Sequence, residues 1–179
     1  VTLGSPEIDL DRLRAWKDEV LLALGDGVTQ LAAARSVEWI QAAGCLRNTR
    51  TLELVTRTGE RSLLGFGQLV LATGSRPLWP EALDNLSPLV MDSTAALELP
   101  DIPDRLLVVG GGYIGLELGT VYAALGSRVS VVEMTDGLLA GADRDLVRPL
   151  ARRLESRFES IPLNTSVESL LPESDVVTA

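Results

Sequence analysis

Three glycines with the spacing G-x-G-x-x-G are the residues best suited to bind a ligand. Gly110, Gly112 and Gly115 follow an apolar run and open a segment with helical spacing. After a strand, the first glycine permits a tight turn, the second lets the backbone approach a diphosphate, and the third lets the helix pack closely. Free N–H groups and the dipole at a helix N-terminus favour anions. The spacing therefore predicts a diphosphate-binding turn. Gly119 and Gly126 extend the pattern, with Gly126 placed as a left-handed C-cap.

A carboxylate completes this pattern, because Glu133 lies 23 residues beyond Gly110 (133 minus 110), at the end of the next apolar run. At that position an acid accepts hydrogen bonds from an adenosine ribose and repels a 2′-phosphate. No arginine lies between Ser130 and Leu139 to bind such a phosphate. We therefore expect NAD(H) rather than NADP(H). The alternative is an ordinary glycine-rich turn followed by a solvated glutamate.

Tyr113 and Glu117 are four residues apart in the first turns of the predicted helix, and therefore on one face of it. Tyr113 is placed to cover a ligand, and Glu117 is placed to hydrogen-bond a carboxamide. A packing tyrosine and a helix-start carboxylate favoured by the dipole are the structural alternatives, and the residue types do not decide between them.

The elements around the motif fall into two halves. In the first half, apolar residues at helical spacing follow Asp9 and Asp11 and predict a helix that ends at Gly25. Three short β-rich runs then predict strands, and a connection rich in proline and glycine places a boundary near Ser87. The predicted strands are residues 36–44, 51–57 and 66–74.

The second half alternates strand and helix, which predicts an α/β fold with a Rossmann-like parallel sheet. A short helix precedes this βαβαβ pattern at residues 92–99, and we expect residues 88–179 to form the nucleotide-binding domain. One such unit amounts to a mononucleotide-binding half of a full dinucleotide fold. The predicted elements are strand 106–109, helix 113–125, strand 129–133, helix 143–158 with Leu146, Val147, Leu150 and Leu154 on its inner face, and extended chain over 160–167.

Composition excludes several classes of partner. The chain of 179 residues is 46% hydrophobic and carries a formal net charge of -9, so we expect a globular protein that binds neither nucleic acid nor anionic membranes. No apolar run approaches the ~18 residues of a membrane helix. Cys45 is the only cysteine and the chain has no histidine, which excludes an internal disulfide and favours a reducing, cytoplasmic setting. We assign no catalytic residue and no metal ligand.

Several stretches together resemble the middle of a dihydrolipoamide dehydrogenase, a member of the pyridine nucleotide–disulfide oxidoreductases. They are "IDLDRLRAWKDEV", "LATGSRP", "MDSTAALEL", "RLLVVGGGYIGLELGTVYAALGSRVSVVEMTDGLLAGADRDL" and "LNTSVE". The resemblance implies that residues 1–87 are part of an FAD-binding domain. It implies that the NAD site comprises Gly110, Gly111, Gly112, Tyr113, Ile114, Gly115 and Glu117, with Glu133 at the ribose and Val167 at the adenine. It also implies FAD contacts at Gly44, Thr73, Gly74 and Ser75.

The family's enzymes carry electrons from dihydrolipoyl groups through a disulfide and FAD to NAD+, as homodimers inside 2-oxo acid dehydrogenase complexes. This chain lacks the family's first glycine motif, its C-x4-C disulfide and its His–Glu pair, and it starts without methionine. We therefore expect an excised or truncated portion that does not turn over alone.

Rival interpretations remain open. One is a stand-alone NAD(H)-binding or interaction module without redox chemistry. Another is a different flavoprotein of the family, such as an NADH oxidase or a mercuric reductase. The glycines beyond the motif and the "ATGSRP" segment speak against a methyltransferase.

Overall fold

The computed structural model describes residues 7–79, 87–172 and 177–179. The chain divides into two compact units: Ala15–Ser75, and Val1–Arg14 together with Arg76–Ala179, as far as their residues are described. The division into an FAD-binding and an NAD-binding domain near Ser87 stays a prediction. None of the described helices is long and apolar enough to cross a membrane.

The first helix, α1 (Leu10–Ala34), is longer than predicted. It passes through Gly25 and Gly27, because Val28 and Leu31 continue the apolar spacing and three alanines with high helix propensity close the segment. The helix ends where Ser36 takes a left-handed φ of 54°. Ser36 N–H then donates to Ala33 C=O and Val37 N–H to Ala32 C=O, at 3.0 Å each, the pattern of a Schellman motif. The expected end at Gly25 was wrong.

Three antiparallel strands follow α1 in the order β1 (Ala43–Asn48), β2 (Thr51–Val55) and β3 (Arg61–Gly65). Glu53 on β2 forms ion pairs with Arg47 on β1 at 2.6 Å and with Arg61 on β3 at 3.4 Å. The hydrogen bond from Arg47 is the main cause that lowers the pKa of Glu53. One carboxylate thus links all three strands.

Of the three strands predicted for this unit, two need correction. Residues 66–74 form no strand, and Val70 and Leu71 are 86% and 70% exposed. An apolar composition rich in β-formers was therefore insufficient to predict a strand, because a strand also needs a neighbour to accept and donate its hydrogen bonds. The predicted strand over 36–44 begins only at Ala43, and β3 was not predicted. The strand over 51–57 is confirmed as β2.

The second unit contains the predicted α/β alternation. Its elements are α2 (Ser93–Leu97), β4 (Arg105–Val109), α3 (Tyr113–Leu125), β5 (Arg128–Val132), α4 (Arg144–Glu155) and the short strands β6 (Leu171–Pro172) and β7 (Val177–Thr178). β4 and β5 are parallel neighbours, which confirms the parallel sheet. The bounds of α3 match the prediction, and Gly126 ends the helix in the left-handed region with a φ of 119°.

The segment that would form the third strand of the sheet is interrupted by a proline, and it makes only an isolated bridge to β5. Ser160 bridges Ser130 in a parallel sense, Val131 N–H donates to Ser160 C=O, and Glu133 N–H donates to Pro162 C=O. In a regular parallel ladder the N–H of residue 162 would donate to Val131 C=O, but proline has no N–H. The predicted extended segment 160–167 therefore follows β5 without forming a continuous strand.

The core lies on one face of this sheet. Val129 and Val131 of β5 are fully buried, and Leu116 and Tyr122 of α3 pack in the same cluster with Phe158. Tyr122 Oη donates a hydrogen bond to Ala96 C=O of α2 at 3.0 Å, and burial raises the pKa of this phenol. On the opposite face of the sheet Leu107 and Val109 remain 40% and 48% exposed.

The fourth helix was predicted over 143–158 and is shorter at both ends. Val147 and Leu154 are its buried residues, while Leu146 is 75% exposed. The expectation that Leu146 and Leu150 face inward was wrong, since Leu150 is also exposed. Val147, Ala151 and Leu154 instead supply the spacing of four and three residues that packs on the core.

Candidate dinucleotide-binding site

The glycine turn connects the end of β4 to the start of α3. Gly110 has a φ of 107°, in the region that favours glycine, and its N–H donates to Val132 C=O of β5 at 2.8 Å. The turn is therefore held against the neighbouring strand. This is the tight turn expected of the motif's first glycine.

The other two motif glycines meet opposite surroundings. A Cβ built on Gly115 would lie 2.5 Å from Gly110 O and 3.0 Å from Val108 Cγ1, so this residue lets α3 lie close to the strand. A Cβ built on Gly112 would meet nothing within 4 Å. Gly112 is the N-cap of α3 and has no side chain to cap the first turn. Its position leaves the helix N-terminus open to an anion.

Gly111 joins the turn to the segment after β5. Gly111 N–H donates to Glu133 Oε2 at 2.7 Å, and Gly111 C=O accepts from Leu139 N–H at 2.9 Å. A Cβ built on Gly111 would lie 2.5 Å from Leu138 Cδ2. The loop from Met134 to Ala142 thus closes over one side of the glycine turn.

Glu133 lies directly beyond β5, at the edge where the strand ends next to the glycine turn. Thr135 donates two hydrogen bonds to its Oε1, from N–H at 2.8 Å and from Oγ1 at 2.7 Å. The backbone and side-chain bonds from Thr135 are the main causes that lower the pKa of Glu133, with a smaller part from Gly111 N–H. Partial burial opposes them. The carboxylate is therefore charged at neutral pH and fixed in direction.

Tyr113, Ile114 and Glu117 lie on the outer side of the first turns of α3. Tyr113 and Ile114 are 67% and 44% exposed, and Glu117 is exposed as well. Their side chains are accessible beside the open helix N-terminus. Whether they contact a nicotinamide stays a prediction.

Val167 is partly buried in the segment that follows the interrupted third strand. Two residues before it, Thr165 N–H donates to Glu133 C=O at 2.9 Å, which brings this segment close to Glu133. Its predicted contact with adenine stays a prediction.

The sequence did not single out Thr135 or Arg144. Arg144, the first residue of α4, donates to the carbonyl oxygens of Leu138, Leu139 and Ala142 at 2.7 to 2.9 Å. It fixes the loop that covers Gly111. Thr135 could have been found from its position two residues after the strand-end acid. Threonine hydroxyls often form hydrogen bonds with groups that are close in sequence.

The residues expected to contact FAD all lie in the unit Ala15–Ser75. Gly44 is in β1, whereas Thr73, Gly74 and Ser75 are exposed and outside regular structure, with Gly74 at a φ of 77°. No hydrogen bond described for this unit joins the two groups. These exposed segments do not by themselves enclose a flavin, and their role stays a prediction.

The second unit brings an open helix N-terminus and a fixed carboxylate to the same edge of its sheet. Within the described ranges, no three His, Cys, Asp or Glu side chains gather where they could hold a metal ion. Cys45 is exposed on β1. A parallel sheet, a glycine turn and a strand-end acid together define an α/β protein of the Rossmann type.

Comparison with known proteins identifies the family. The family model described as "Pyridine nucleotide-disulphide oxidoreductase" matches residues 3–179. The chain is 37% identical to the dihydrolipoyl dehydrogenase of Vibrio parahaemolyticus over 98% of its own length, and 36% identical to that of Vibrio cholerae. The chain belongs to the pyridine nucleotide–disulphide oxidoreductase family. It spans 36% of the length of these two relatives.

Solved structures agree with this assignment. One similar structure is the copper(II) complex of a cysteine mutant of RclA, the HOCl-induced flavoprotein disulfide reductase from Escherichia coli. The match covers 95% of this chain and 39% of the RclA chain, with a TM-score of 0.79 and 28% sequence identity. LpdA from Mycobacterium tuberculosis matches 97% of the chain and 39% of its own, with a TM-score of 0.78. At 24% identity this second likeness concerns the fold alone.

Proposed function

We propose that this chain supplies the NAD(H)-binding part of a dihydrolipoyl dehydrogenase. The observation that carries the proposal is the glycine turn, where Gly112 leaves open space beside a helix N-terminus while Gly115 allows close packing below it. The dihydrolipoyl dehydrogenase relatives support the choice within the family, since they match almost the entire chain.

The residues of the second unit fit a dinucleotide in a simple order. The diphosphate lies at the N-terminus of α3, where amide N–H groups compensate its charge. The adenosine ribose hydroxyls donate to Glu133, and Val167 contacts the adenine. Tyr113 and Glu117 flank the path toward the nicotinamide. NAD(H) supplies hydride transfer when it is bound, and the role of these residues is to bind and orient it.

The wider assembly is also part of the proposal. FAD contacts at Gly44 and Thr73–Ser75, a homodimer and a 2-oxo acid dehydrogenase complex follow from the family likeness, and a cytoplasmic setting follows from the cysteine content. With one cysteine and no histidine, the chain has neither a redox disulfide nor a histidine base. We expect no reduction of NAD+ by dihydrolipoamide above the uncatalysed rate in an absorbance assay at 340 nm with the purified chain.

A calorimetric titration of the folded chain with NADH and with NADPH tests the proposal. We expect binding of NADH and at least about tenfold weaker binding of NADPH, because the charged Glu133 repels a 2′-phosphate. A folded chain that binds neither nucleotide would contradict the proposal. That result would favour the alternative, an interaction module that retains the turn without its ligand.

A further inference from the structure

Thr135 holds the strand-end acid through two separate donors. Its N–H and its hydroxyl both donate to Glu133 Oε1, at 2.8 and 2.7 Å. The same hydroxyl lies 3.0 Å from Gly137 C=O, a second acceptor. A hydroxyl has one proton, so it serves one of these acceptors fully at a time.

The other carboxylate oxygen is held from the opposite side. Glu133 Oε2 accepts from Gly111 N–H at 2.7 Å. The carboxylate is thus fixed between the glycine turn and the loop that follows β5. Hydrogen bonds of this charged kind are about twice as strong as neutral ones, so the orientation is well defined before any ligand arrives.

We propose that Thr135 is a positioning residue that fixes the Glu133 carboxylate for selection of a free ribose diol. This inference rests on the proposed function. When a ribose hydroxyl donates to Oε1, the Thr135 hydroxyl turns its proton to Gly137 C=O, while Thr135 N–H stays on Oε1. The carboxylate accepts the ribose without changing its direction. No proton is transferred and no donor is left without an acceptor.

The same arrangement disfavours a phosphorylated ribose. A carboxylate held by Gly111 and Thr135 cannot rotate away from a 2′-phosphate, so the repulsion between like charges is kept at short range. The loop between Met134 and Ala142 contains no lysine or arginine, and the adjacent Arg144 guanidinium is engaged with the carbonyl oxygens of that loop. Selectivity then depends on how firmly Glu133 is held as well as on its charge.

Two substitutions separate the hydroxyl from the shape of the side chain. T135V removes the hydroxyl but keeps the branched shape and the backbone N–H, and T135S keeps the hydroxyl on a smaller side chain. We expect the ratio of NADPH to NADH dissociation constants to fall about three- to tenfold in T135V and to recover in T135S. This change is smaller than the full weight of a hydrogen bond to a charged group, because the N–H groups of Gly111 and Thr135 still hold the carboxylate. Calorimetry measures the ratio, and a thermal melt confirms that each variant is folded.

A second measurement needs no ligand. Amide hydrogen exchange at Gly111 reports whether Glu133 is fixed, and we expect it to be about three- to tenfold faster in T135V than in the wild type or T135S. The inference is overturned if the wild type discriminates against NADPH and T135V has the same ratio of dissociation constants. It is also overturned if amide exchange at Gly111 is unchanged in T135V. If the wild-type chain binds no NADH, both the proposed function and the ribose selection are overturned. The exchange measurement then still decides whether Thr135 fixes the carboxylate.

Discussion

Gly112 and Gly115 belong to one motif, but the reasons for a glycine differ between the two positions. Gly115 is required by packing, because its added Cβ would approach the backbone oxygen of Gly110. Gly112 is not required by packing, since nothing described lies within 4 Å of its added Cβ and its φ is -76°. Its lack of a side chain therefore matters only if a ligand approaches the backbone there.

This contrast predicts opposite outcomes for two alanine substitutions. G115A is expected to destabilise the chain by about 1–3 kcal/mol, the usual cost of overpacking, as measured by urea unfolding. G112A is expected to lower the free energy of unfolding by no more than about 1 kcal/mol, the cost of alanine at an N-cap, but to bind NADH at least about tenfold more weakly in calorimetry. Each variant is the control for the other. Wild-type affinity in a folded G112A chain would mean that no diphosphate approaches this position.

At the scale of elements, two helix ends show what local signals predict. Gly126 ends α3 in the left-handed region, as expected. The helix cannot continue there, because β5 follows directly and pairs with β4. Gly25 does not end α1, because apolar spacing and alanines continue beyond it. Thr29 Oγ1 also donates to Gly25 C=O at 3.0 Å inside the helix. A glycine thus predicts a helix end only when the following residues do not favour continuing the helix.

The two glycines should respond oppositely to alanine. G25A is expected to raise the free energy of unfolding by about 0.5–1 kcal/mol, since alanine favours a helix interior and its Cβ would meet nothing. G126A is expected to lower it by about 1–2 kcal/mol, because alanine is strained at a φ of 119°. Urea unfolding followed by circular dichroism measures both. Destabilisation by G25A would show that the helix ends there after all.

The same comparison explains which parts of the fold and site could be predicted. The βαβ unit and its glycine turn follow from local spacing, because the apolar run, the three spaced glycines and the helical segment after them are all visible in the sequence. The missing strand over 66–74 depends on what lies beside the segment, which no local pattern contains. The interruption at Pro162, in contrast, has a cause that is visible in the sequence, since proline has no N–H. Thr135 was missed for a related reason, since its role depends on the direction of the Glu133 side chain.

At the scale of the whole molecule, large apolar side chains are exposed along one face of α1. Leu21, Leu24, Val28 and Leu31 are between 53% and 64% exposed, and they follow helical spacing. A contiguous apolar face of this kind is typical of an interaction surface. This face is therefore a candidate surface for association of the chain.

We expect the isolated chain to associate in a concentration-dependent manner, as measured by analytical ultracentrifugation. L24E/V28K, which places a Glu–Lys pair four residues apart on this face, should weaken association at least about tenfold while preserving the helix. D26E/Q30K is the matched control on the opposite face and should associate like the wild type. A monodisperse wild-type chain at all concentrations would favour the stand-alone module.

The contact between Gly111 and Leu138 has a consequence for how this family can diverge. Leu138 Cδ2 occupies the space that a Cβ on residue 111 would need, and it belongs to a loop that Arg144 holds in place. The two positions should therefore have changed together during evolution. Relatives with alanine in the middle of the glycine turn should carry a smaller or differently shaped residue where this chain has Leu138.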